Sequence, residues 1–167
     1  MAKRILGVDY GKARHGLAIS DELGMMAHPL RTVPADPEKP GLEGIAAAAR
    51  EKDVALVVVG MPRNMDGSYG PAAEYVRAFC AKLAPLLPCP IKTWDERLTT
   101  VQAQRSLQDA GRNVKNSRQV IDQVAAQMIL QNYLDAESMR ANLLMPQDQD
   151  AEFGSDDDEY DDHDEDR

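Results

Sequence analysis

Four acids stand where a carboxylate can do chemistry. Asp9 closes the apolar run "RILGVD" and is followed at once by Tyr10-Gly11. Asp95 and Glu96 close the short run "IKTWDE", and Asp122 sits inside "RQVIDQVAAQMIL", whose apolar residues recur at helical spacing. In an open sheet, ligands gather outside the carboxyl ends of parallel strands. Asp9 and Glu96 therefore leave the same edge if the first and the last two strands run parallel. Asp122 borders the apolar stripe of its helix and can point back toward that edge.

Convergent carboxylates need a reason, because crowded like charges repel and raise one another's pKa. A hard divalent cation supplies one: Mg²⁺ takes oxygen ligands and is commonly held by one or two carboxylates together with substrate phosphates. Two such ions can activate a water and stabilise the leaving oxygen of a phosphodiester. No His/Cys cluster has zinc spacing, so Mg²⁺ or Mn²⁺ is the expected cofactor. Each acid also has an ordinary alternative. Asp9 suits a turn, Asp95 and Glu96 suit a helix cap, and Asp122 suits the positive end of a helix dipole. The joint placement favours the site.

The elements that must carry these acids follow from the apolar periods. Residues 4–9 and 15–20 read as strands joined by a loop with Gly11 and Gly16, and His28–Val33 reads as a third, before the loop "PADPEKPG". Alanine-rich Leu42–Glu51 favours helix. "VALVVVG" (54–60) fits a central strand covered on both faces. After "MPRNMDGSYG", in which "NMDG" suits a tight turn, Pro71 opens a helix to about Ala84, and "LLPCP" ends it. Thr99 and Gln102 form a capping-box signature for a helix through about Ala110. After the loop "GRNVKNS", Ser117 caps a last helix with the stripe Ile121, Val124, Ala125, Met128, Ile129. The order β-β-β-α-β-α-β-α-α predicts an α/β domain, a mixed five-stranded sheet flanked by helices, and it matches the ribonuclease H-like fold.

The 167 residues suffice for one domain, expected over 1–140, followed by an acidic tail over 141–167. The net charge is −9, but residues 147–167 carry 12 Asp/Glu against one Arg, so residues 1–146 hold 18 Lys/Arg against 16 Asp/Glu. The domain is thus mildly basic at +2, and a run such as "DDDEYDDHDEDR" is expected to be disordered. No signal peptide or membrane span is read, and two cysteines make no disulfide framework. The expected setting is cytoplasmic.

At these residues the sequence resembles the YqgF (RuvX) family of ribonuclease H-like nucleases, through "GVDYGKARHGLAIS", "VVVGMPRNMDGSYGPAAEYVRAF", "DERLTT" and "IDQVAAQMILQNYL". Together these stretches span most of residues 4–134. The resemblance implies a metal-dependent endonuclease that processes the 5′ end of pre-16S ribosomal RNA, or alternatively a Holliday junction resolvase acting on four-way DNA. It places Asp9, Glu96 and Asp122 on the catalytic, metal-binding acids. His15 departs from the family, which often has Ile, Val or Thr there, and the acidic tail has no counterpart in the shared core.

Basic residues near the expected edge suit a nucleic-acid backbone: Arg14, Arg63, Arg97, and the cluster Arg112, Lys115 and Arg118. Tyr10 and Tyr69 are candidates for base stacking, whereas Trp94 and Cys80 read as core. A ribosomal partner is compatible with the rRNA reading, and a monomer or homodimer with either. A junction resolvase needs two sites and so a dimer. Two readings from other classes remain open. One is a kinase-like nucleotide binder, disfavoured because one domain cannot supply two lobes. The other is a non-catalytic RNA-binding assembly or transcription factor.

Overall fold

The computed structural model of the chain describes residues 3–96 and 118–144. Its elements are β1 (Arg4–Asp9), β2 (Arg14–Ser20), β3 (Ala27–Pro34), α1 (Glu38–Glu51), β4 (Val54–Met61), α2 (Pro71–Leu83), a 3₁₀ turn (Ala84–Leu86), β5 (Ile91–Asp95) and α3 (Arg118–Leu144). The five strands form one sheet in the order β3-β2-β1-β4-β5. β1–β2 and β2–β3 are antiparallel, as short turns require, and β1–β4 and β4–β5 are parallel, as helical crossovers require. β1 therefore lies at the centre, with the carboxyl ends of β1, β4 and β5 on one edge.

Strand alternation divides the core between the two faces. Leu6, Val8, Leu17, Val57 and Val59 face α1 and α2, where they meet Ile45, Val76 and Phe79. Ala18 and Val58 turn the other way, onto Ala126, Ile129, Leu130, Tyr133 and Leu134 of α3. The valine run of β4 is covered on both sides, which accounts for its lack of alternation. Pro71 begins α2 directly after Gly70, as expected.

Two expectations are corrected. α1 begins at Glu38, so part of "PADPEKPG" is helical. Pro40 is tolerated because its missing N–H falls in the first turn, where no intrahelical acceptor exists. Gly41 is required there, since a Cβ would strike the Pro34 carbonyl. In α3 the buried stripe is Ala126, Ile129, Leu130, Tyr133 and Leu134, while Ile121 is exposed and Val124, Ala125 and Met128 are only half-buried. The stripe is rotated because Gly7 of β1 admits the helix at Ala126 and Leu130: a Cβ on Gly7 would lie 2.7 Å from the Leu130 Cβ. Asp122, four residues before Ala126, extends this stripe past the sheet edge. The capping box at Thr99, the helix to Ala110, the Ser117 cap and residues 145–167 lie outside the described residues.

Candidate active site

Strand parity decides which acids share a face. Val8 packs toward α1 and α2, so Asp9 faces α3. Trp94 packs on the α3 side, so Glu96, two residues on, returns to that side while Asp95 faces away. Asp95 instead accepts from the Arg63 guanidinium at 3.2 Å. Periodicity could have made this distinction from the sequence.

Two glycines open the space the acids occupy. Gly16 is the register partner of Asp9, and a Cβ there would strike the Asp122 carbonyl. The first turns of α3 thus rest directly on β2 beside Asp9. Gly60 of β4 pairs with Trp94, and a Cβ there would lie 2.6 Å from Oε1 of Glu96 and 2.6 Å from Cδ1 of Ile129. Sequence reasoning saw these glycines as turn or strand residues and missed their role; their positions opposite the acids in the register were the signal.

Asp9 and Glu96 line a cleft of about 480 Å³ with Tyr10, Lys12, Gly60 and Tyr75. Asp122 borders a smaller adjoining hollow with Lys12 and Arg14, and its Oδ2 accepts from Arg14 Nε at 3.4 Å. Burial, reinforced by the charges of Glu96 and Asp122, raises the Asp9 carboxyl to about 7. Burial and then the charge of Asp95 push Glu96 upward as well. Among the described residues no three His, Cys, Asp or Glu are close enough to hold one metal ion together. Two carboxylates facing one cleft nevertheless fit a hard cation that completes its sphere with water and phosphate.

Arg63 is a structural tie: its Nε donates to the Gly67 carbonyl at 2.7 Å while the guanidinium holds Asp95. "NMDG" is a tight turn, with Gly67 N donating to Asn64 O and Ser68 N donating to Asp66 Oδ1. Tyr69 lies under Arg63 and Arg77, their guanidinium carbons 4.6 and 4.7 Å from its ring centre. Arg97, Arg112, Lys115 and the side chain of Arg118 lie outside the described residues. Lys12, in the turn after Asp9, borders both hollows and was missed by the sequence reading; its place between Gly11 and Ala13 was the available signal.

The mixed sheet, its central strand ending in an acid and a helix crossing behind it, is a ribonuclease H-like architecture. T. thermophilus RuvC, solved with a Holliday junction substrate, has the same fold: its TM-score is 0.53 at 13% identity, over 82% of this chain and 96% of that one. The family model for RuvX, described as Holliday junction resolvase, matches residues 3–136, and the chain belongs to this family. A Halothermothrix orenii protein named "Putative pre-16S rRNA nuclease" is 47% identical over 132 residues, covering 79% of this chain and 94% of its own. A Myxococcus xanthus protein of the same name is 45% identical over 149 residues, covering 89% and 99%.

Proposed function

We propose that the chain is a metal-dependent endonuclease that cleaves pre-16S ribosomal RNA at the edge formed by Asp9, Glu96 and Asp122. The observation that carries this reading is the burial of Asp9 between two further acids, which raises it to about 7. Such crowding costs stability and is relieved when positive charge arrives. Asp9 and Glu96 would hold Mg²⁺ or Mn²⁺ from the cleft, with Asp122 beside them. When bound, the cation supplies charge for the phosphate and acidity for the attacking water. The chain's own part is to place the carboxylates, through the close approach of α3 at Gly16 and of Glu96 at Gly60. Lys12 and Arg14 offer positive charge to the scissile strand. Arg97, Arg112, Lys115 and Arg118 extend this basic surface in the proposal. Among the described residues no helix is long and apolar enough to cross a membrane.

The test is cleavage of a pre-16S 5′ fragment by wild type and Asp9→Asn in Mg²⁺ or Mn²⁺, together with RNA-end mapping in cells carrying the variant. A loss of about a hundred-fold or more is expected. Undiminished cleavage removes Asp9 from the mechanism, and equal rescue of a deletion strain by both proteins favours the non-catalytic RNA-binding reading. The family description supports a second substrate, four-way DNA. Paired cuts would need two sites related by two-fold symmetry, and a strictly monomeric protein in sedimentation counts against it.

A further inference from the structure

His15 is a buried titratable side chain that the cleavage site does not use. It is only 3% exposed, on the face of β2 opposite α3, with its ring centre 5.0 Å from that of Tyr10 and 4.7 Å from that of Phe79. Its Nδ1 accepts the Gly11 N–H at 3.2 Å, so the neutral ring carries its proton on Nε2. Among the described residues that Nε2–H meets no acceptor, yet the ring lines a cavity of about 290 Å³. This cavity adjoins the cleft of Asp9 and Glu96 and shares Tyr10, Lys12 and Tyr75 with it.

The lining selects a kind of ligand. Lys12 and Lys82 are balanced by Asp36 and Glu38, and Lys82 is already paired with Glu38 at 2.9 Å. Such a balance gives a phosphate no net attraction. Tyr10, Phe79 and Tyr75 offer apolar ring surface, and the His15 donor and the carboxylates offer both halves of a hydrogen-bonding edge. A neutral, planar heterocycle with donors and acceptors answers this combination. Single-stranded RNA supplies one wherever an unstacked base can turn aside and stack on an aromatic side chain.

We propose that this cavity is a nucleobase subsite, in which a base of the substrate strand close to the scissile phosphate stacks on Tyr75 and accepts a hydrogen bond from His15 Nε2. The proposal rests on the nuclease reading for its biological substrate, but the subsite itself is testable without cleavage. Imidazole ¹⁵N spectra of the full chain in EDTA would be followed during titration with each of the four ribonucleosides and, separately, with inorganic phosphate. A saturable shift of the His15 Nε2 signal by at least one nucleoside, and none by phosphate, is expected. Tyr75 is 61% exposed, so Tyr75→Ala leaves the core intact. That variant should weaken the nucleoside response and the affinity for a short single-stranded RNA about ten-fold, the scale of losing one stacked base. No shift with any nucleoside overturns the subsite, as does an equal response to phosphate or an unchanged response in Tyr75→Ala. Cleavage of the pre-16S fragment is scored independently, so a protein that binds nucleosides at His15 but cuts no RNA defeats the nuclease reading and leaves the subsite standing.

Discussion

Asp9 shows how a carboxylate is held against its own preference for the charged form. Its native carboxyl titrates near 7, whereas an unfolded one titrates near 4. The metal-free native state therefore binds this proton more tightly, and its stability falls as pH rises between those values. Asp9→Asn carries no such charge. In EDTA at pH 8 the variant should unfold at higher urea than wild type, and the difference should vanish below pH 4. His15 has the opposite sign. Burial lowers it to about 4, against an ordinary 6.5, with the nearby Glu38 charge opposing the shift. The unfolded chain takes up the proton first as pH falls, so stability present above about 6.5 is lost on the way to about 4. Between pH 7 and pH 4.5, urea titrations should show wild type losing about 2 kcal/mol more than His15→Phe, whose ring fills the same aromatic cluster.

At the scale of elements, α3 is positioned by the absence of side chains beneath it. A 27-residue helix spans about 40 Å, enough to cross the sheet, and only glycines let its backbone approach the strands this closely. Gly16 and Gly60 have different neighbours, so their substitution separates two effects. In Gly16→Ala the new methyl meets backbone at Asp122, which cannot turn aside. Both stability, by about 1–3 kcal/mol, and cleavage should fall. In Gly60→Ala it meets the ends of the Glu96 and Ile129 side chains, which can rotate. Urea unfolding should change less there, while cleavage drops because Glu96 has moved. Equal ratios of lost activity to lost stability in the two variants would show that the glycines serve packing alone.

For the whole molecule, charge is divided unevenly along the chain. The strongly acidic residues 147–167 mask a formal charge of +2 over residues 1–146. A polyanionic segment competes with RNA for the same cations, and counterion release makes such competition weaken with salt. Truncation after Pro146 should tighten binding of a short RNA at 50 mM salt, measured by fluorescence anisotropy. The gain should shrink toward nothing at about 0.5 M, where charges are screened within a few ångströms. Unchanged affinity at low salt would leave the segment a solvated extension.

The succession of strands and helices along the chain, the crossover helices and the placing of acids at strand ends were legible in the sequence, because apolar period and turn residues are local properties. So was the covering of "VALVVVG" on both faces. The choice of Glu96 over Asp95 was also latent there, since alternation along β5 is a local rule. Other features depended on contacts between distant segments. The rotation of α3 follows from Gly7, more than a hundred residues away, and the seat of Asp122 follows from Gly16. The cavity beside His15 exists only because α1, α2 and the β1–β2 turn meet there. Sequence alone determined which residues can carry the chemistry. The tertiary structure decided which of them meet, because a missing side chain becomes a space only when another segment is packed into it.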